Sequence, residues 1–256
     1  MMENEETPQR PAASDAATEA EAVRRSRRAF IGWGLAGLAG LGGWGWLVSR
    51  PQEGGIPGPL RRVLEFNENV SGAYFKETRL APEFARSRAT TPRVNGKYGL
   101  EDELDPAAWR LRVQSIDGQA REFTLADVQA LPKIEMVTEL KCIEGWSVIV
   151  HWAGARMADF LSHYQLPAAV PYLLLQTPNE KYYVGLDLKS ALHPQTLLCY
   201  EMNGRRLTPA HGAPLRLVTP LKYGIKHLKR LGSIAFTTER PKDFWAERGY
   251  DWDSGH

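Results

Sequence analysis

Residues 139–152 read Glu139-Leu-Lys-Cys142-Ile-Glu-Gly145-Trp146-Ser147-Val-Ile-Val-His151-Trp152. The alternation from Val148 to Trp152 is that of a strand, and the polar, glycine-containing run before it is a turn. Cys142 therefore sits at a strand end, with Lys141 before it and a turn after it. A thiol so placed reads as a thiolate, which is a nucleophile or a soft metal ligand. Two other readings stand beside it. A lone cysteine is often just a small buried hydrophobe. It can also serve a cysteine–histidine hydrolase, with His151, His163, His211 or His227 as base. Cys199, on a strand before the Asn203-Gly204 turn, is expected in the core.

The flanking sequence predicts an α+β domain of mixed β-sheets with short helices. Strands are expected at 109–113, 148–152, 172–177, 197–202, 215–220 and 233–237, and Asn203-Gly204 marks a hairpin. Short helices fit 157–164 and 188–192, and Thr124 to Asp127 opens another that Pro132 closes. There is no strand–helix–strand rhythm and no Gly-x-Gly-x-x-Gly, so a dinucleotide fold is not expected. The expected organisation is a disordered leader at 1–28 and an apolar signal or anchor helix at 29–50. A linker and wrapping segment fills 51–100, the main domain 101–240, and a tail 241–256.

Composition narrows the function. The chain has 256 residues, 43% hydrophobic, with two cysteines and a formal net charge of +2. Two cysteines exclude a disulfide framework or a four-thiolate site within one chain. The charge gives no case for nucleic acid. Arg24-Arg25-Ser26-Arg27-Arg28 precedes residues 29–48, twenty residues without a charge but with seven glycines. That length suits a membrane span, and the glycines suit an export signal. Ser26-Arg27-Arg28-Ala29-Phe30-Ile31 resembles the twin-arginine export signature. Either reading puts the rest of the chain in the periplasm, with its N-terminus in or through the inner membrane. No small-x-small triplet follows, so an uncleaved tether is favoured.

Residues 202–238 hold no Asp or Glu. They do hold Arg205, Arg206, Arg216, Lys222, Lys226, Lys229, Arg230, His211 and His227. Cations beside glycine-rich backbone are the chemistry of phosphate capture. A solvated basic face is the plainer alternative.

Three motifs in order, Lys141-Cys142-Ile-Glu-Gly-Trp-Ser-Val-x-Val-x-Trp152, His211-Gly-Ala-Pro-Leu-Arg216-Leu-Val-x-Pro220 and Lys222-Tyr-Gly-Ile-Lys-x-Leu-Lys229, resemble the molybdopterin-binding domain of the sulfite oxidase superfamily. The similarity extends over residues 79–240, and the branch it resembles is the bacterial periplasmic methionine sulfoxide reductase catalytic subunits. The resemblance implies a molybdenum–molybdopterin cofactor with Cys142 as the protein's thiolate ligand and catalytic residue. It implies pterin contacts from Arg79, Glu83, Thr177, His211 and Arg216, with His227, Leu228 and Lys229 at the pterin phosphate. His211 stands where the reductases have Asn, and only Glu83 and Phe84 match their N-terminal contact segment. The implied reaction is oxygen-atom transfer, reducing methionine sulfoxide or a similar S-oxide. Oxidation of sulfite or another oxyanion is the alternative, as is a non-catalytic membrane-tethered binding module. No Cys-x-x-Cys-His is present for covalent haem, so electrons are expected from a separate partner, a membrane b-type cytochrome.

Overall fold

The computed structural model describes residues 15–256 except Gly54, Glu77 and residues 167–169. Residues 1–14 of the expected leader lie outside the described residues. The chain divides into two compact units, one of residues 1–52 with 57–59 and one of 53–56 with 60–256.

The first unit holds helix α1 (Asp15–Val48). Residues 15–28, expected to lack structure, belong to this helix. Their Ala, Glu and Arg are strong helix formers, and Glu21 pairs with Arg25 one turn on. From Glu19 to Val48 the helix is long and apolar enough to cross a membrane. Phe30, Trp33, Leu38 and Leu41 along it are exposed.

Two-residue strands β1 (Gln52–Glu53) and β2 (Ile56–Pro57) precede helix α2 (Gly58–Tyr74). A regular helix here corrects the expectation of an irregular wrapping segment. Beyond Gly58 and Pro59 in its first turn, its half-buried positions are Arg61, Leu64, Glu68 and Ser71, mostly polar, with Glu68 paired to Arg240 at 2.6 Å. The helical period is therefore carried by residues that a search for an apolar core face passes over.

The main domain follows as β3 (Leu111–Gln114), β4 (Ala120–Phe123), α3 (Leu125–Gln129), β5 (Lys133–Lys141), β6 (Ser147–Arg156) and α4 (Met157–His163). Then come β7 (Tyr172–Gln176), β8 (Tyr183–Asp187), α5 (Leu188–Leu192), β9 (Leu197–Met202), β10 (Arg205–Arg206), β11 (Arg216–Val218) and β12 (Ser233–Thr237). One sheet has the order β10-β9-β6-β5, with β11 also paired to β9; the other runs β4-β3-β12-β7-β8. Only the β12–β3 pairing is parallel among the described ladders of these sheets. This is the expected α+β architecture. Thr124 caps α3 in a reciprocal box with Asp127.

The larger core joins Leu111, Leu175 and Ile234 of one sheet to Leu198 and Leu217 of the other, under Phe160 of α4. A smaller core holds Met136, Val150, Trp152 and Cys199. Cys199 is fully buried, as expected, and burial pushes its thiol up to about 11.

Gly154, beside a register shift in β6, is a close-approach position, since a Cβ there would lie 2.2 Å from Leu198 O. Gly154→Ala forces β6 and β9 apart. It is expected to cost about 1–3 kcal/mol, read as a lower urea midpoint at unchanged slope.

Residues 241–256, expected as a tail, are built into the domain. Asp243 pairs with Lys226 at 2.6 Å, both buried, and Asp253 pairs with Lys222. The Trp252 indole donates to Pro241 O at 2.9 Å and packs against Gly185.

Candidate active site

β5 is paired to β6 along its whole length, Lys133 opposite Ala155 through to Lys141 opposite Ser147. The hairpin they form closes through residues 142–146. Cys142 N donates to Trp146 O at 2.9 Å and Gly145 N donates to Cys142 O at 3.1 Å. Gly145 takes φ +85°, which suits glycine. Cys142 is thus fixed by backbone at the tip of a rigid two-stranded arm and left half-buried.

A cavity of about 320 Å³ opens against it, lined also by Asn95, Tyr182, His211, Arg216, His227 and Lys229. Asn95 holds one wall. Its amide donates to Glu144 at 3.2 Å and lies 3.8 Å from Cys142 Sγ, while Lys229 Nζ donates to Asn95 O. Glu144 also accepts from the Trp146 indole at 3.0 Å, and these two hydrogen bonds hold its carboxyl below the usual range. An open hollow of about 520 Å³, lined by Lys141, Trp146, Tyr223 and Tyr250, shares Cys142 with the cavity.

The opposite wall is cationic. Arg216 is buried, and its Nη1 and Nη2 donate to the backbone oxygens of His211 and His227 at 3.1 and 3.2 Å. Neither Arg216 nor Lys229 has a carboxylate partner among the described residues. Arg216 Nε and His227 Nδ1 are buried with no hydrogen-bond partner there. Desolvation pushes Arg216 down to about 10, and burial with Arg216 nearby pushes Lys229 down to about 8. Burial and then Lys229 and Arg216 lower His211. Buried cations without counter-charge are costly unless an anion completes the site. Gly212, at φ +94°, brings His211 close to residues 229–230, since a Cβ there would lie 2.7 Å from Arg230 N.

His227 Nε2 donates to Thr219 O at 2.9 Å, and burial holds its ring down to about 3. The unfolded chain, with an ordinary histidine value of 6.5, binds a proton between pH 6.5 and 3 that the folded chain does not. Stability is therefore lost as pH falls through that window, by up to about 1.4 kcal/mol per pH unit. His227→Gln is expected to flatten that loss in urea titrations between pH 6.5 and 4.

The structure brings together Cys142, His211, Arg216, His227 and Lys229. It does not bring Arg79 or Glu83 to this cavity. Arg79 stacks 4.0 Å from the Tyr74 ring and lines a separate small hollow beside His256. Glu83 is exposed and bridges Thr138 through backbone. That segment is pinned to the domain elsewhere, Gln195 bonding both N and O of Ala81. Leu228 is a core side chain. Thr177 is buried outside the cavity lining, and its hydroxyl bonds Asn179 and the backbone of Tyr182.

The basic window is also corrected. It is acid-free in sequence but not in space, because Asp243 and Asp253 neutralise Lys226 and Lys222. Of its Lys and Arg residues, only Arg216 and Lys229 line the cavity. The hydrolase reading finds no histidine bonded to Cys142 Sγ among the described residues; His151 instead pairs with Glu135 at 3.1 Å. Asn95 and Tyr182 were not found by sequence reasoning. Asn95 lies in an irregular stretch 47 residues before Cys142, and no local pattern links the two.

Residues 98–245 match the family model described as the oxidoreductase molybdopterin binding domain. The match starts later than the expected residue 79, which leaves Arg79 and Glu83 outside it. A chain of Azospira oryzae, provisionally named protein-methionine-sulfoxide reductase subunit YedZ1, is 32% identical over 235 residues, covering 90% of this chain and 88% of that one. The sulfane dehydrogenase SoxCD structure from Paracoccus pantotrophus shares the fold, with a TM-score of 0.50 at 16% identity; the likeness covers 54% of this chain and 40% of that chain.

Proposed function

The chain belongs to the oxidoreductase molybdopterin-binding domain family, and we propose that it reduces methionine sulfoxide or a similar S-oxide in the periplasm. The observation that carries this reading is one cavity wall bearing the Cys142 thiol while another bears two cations that lack carboxylates. The residues fit the cofactor. Arg216, Lys229 and His211 supply the donors an anionic pterin phosphate needs, while His227, neutral and with its one N–H given to Thr219 O, lines the same cavity without a proton to donate. Cys142 supplies a soft ligand for molybdenum.

The bound group supplies two-electron chemistry coupled to movement of one oxygen atom. Overall, an S-oxide takes two electrons and two protons and leaves as thioether and water. The chain's own residues hold the phosphate through Arg216 and Lys229, fix the sulfur of Cys142 on its hairpin, and orient the cavity wall through Asn95 and Tyr182. The hollow lined by Lys141, Trp146 and Tyr250 is the approach for substrate. The S-oxide assignment draws support from the Azospira oryzae relative.

Ser26-Arg27-Arg28-Ala29-Phe30-Ile31 supports export by the twin-arginine route, and α1 supports a tether to the inner membrane. A membrane b-type cytochrome is the electron donor in this reading. Turnover by molybdenum-loaded protein tests it, with reduced viologen for methionine sulfoxide and ferricyanide for sulfite. Methionine sulfoxide reduction is expected to dominate; faster sulfite oxidation, or no turnover of either, would overturn the assignment. Arg27→Lys with Arg28→Lys is expected to leave the protein in the cytoplasm, scored by cell fractionation.

A further inference from the structure

Helix α2 carries two unlike sides. Arg61, Leu64, Glu68 and Ser71 are half-buried. Leu60, Val63, Phe66, Val70 and Tyr74 recur at helical spacing on another side and are 42–66% exposed. Five large apolar side chains in one exposed stripe have no reason to face water. The Arg79 guanidinium stacks over Tyr74 at 4.0 Å, an amphipathic pairing suited to a boundary between water and lipid.

What covers the stripe follows from the chain itself. Nine residues, 49–57, join α1 to α2. Fully extended they reach about 30 Å, so if α1 spans a bilayer then α2 cannot leave the bilayer surface by more than that. Arg62, exposed and next to Val63 of the stripe, is the kind of cation that meets anionic headgroups. We propose that α2 lies in the membrane–water interface with Val63, Phe66 and Val70 in the acyl boundary, as amphipathic surface helices do. This would hold the catalytic domain against the membrane. The inference rests on α1 acting as an uncleaved anchor.

Site-specific photocrosslinking in the full chain tests it. A benzophenone amino acid is placed at Phe66 or Val70, and at exposed Glu65 or Asn69 for comparison, in membranes of phosphatidylethanolamine and phosphatidylglycerol. Lipid adducts at 66 and 70 are expected to exceed those at 65 and 69 by roughly fivefold. Alkaline carbonate extraction, run in parallel, reports the anchor. A carbonate-resistant chain with equal adducts at all four positions, no lipid adducts, or chiefly protein adducts at 66 overturns the proposal and leaves the anchor standing. A chain released by carbonate removes the anchor and the proposal with it.

Discussion

Cys142→Ser is expected to reduce turnover by about 10³-fold or more, which is at least about 4 kcal/mol of lost transition-state stabilisation. The substitution is nearly isosteric, and the hairpin that carries it is held by backbone hydrogen bonds from Cys142 N and to Cys142 O, so fold and cavity survive. What changes is the donor atom. A hydroxyl is hard and protonated at neutral pH, whereas the thiolate is soft and matches molybdenum. In the proposed site Arg216 and Lys229 would grip the pterin at the far wall, so the variant should retain much of its molybdenum. Full metal with full activity would remove Cys142 from the ligand role. An unchanged melting temperature separates this outcome from misfolding.

Arg216→Met should act in two opposite directions. Without cofactor, the wild-type protein carries a buried guanidinium that meets only carbonyl oxygens and the Trp152 ring at 5.0 Å. Replacing it with a methionine of similar length relieves that desolvation and is expected to raise the melting temperature of cofactor-free protein. With cofactor, the same change removes a buried partner of an anion. The cost is about 2–5 kcal/mol, or roughly 30- to several-thousand-fold weaker retention. Molybdenum and pterin per chain should fall steeply after purification. Lys229→Met is expected to follow it to a smaller degree, because Lys229 is less buried and is also anchored through Asn95 O. An Arg216→Met protein with full cofactor would show that this cation is merely structural.

Much of the fold was legible because local signals agreed with the tertiary structure. Thr124 and Asp127 announce a helix start and form the cap observed. Asn203-Gly204 announces a hairpin and joins β9 to β10. Strand β5 was legible in principle, since Lys133, Glu135, Glu139 and Lys141 alternate with Ile134, Met136 and Leu140, and its pairing to β6 and the bridge to Glu83 bear that pattern out. Helix α2 was missed because its polar side packs and its apolar side is exposed.

At the site, Cys142, Arg216 and Lys229 could be picked out because each lies in a short motif of its own, the cysteine turn and the acid-free cationic window, and those motifs together resemble a known family. Which cations stay unpaired could not. That depends on Asp243 and Asp253, which follow the window and fold back to neutralise Lys226 and Lys222. Asn95 reaches Cys142 across 47 residues of chain, a distance at which local pattern carries no information.

In the proposed site the Cys142 sulfur binds molybdenum in the cavity whose cationic wall would hold the pterin. X-ray absorption at the molybdenum edge, on protein purified from its exported form, measures this bond. Wild-type protein is expected to show one more sulfur neighbour than Cys142→Ser at matched molybdenum content. An identical sulfur shell in the two proteins would contradict the account.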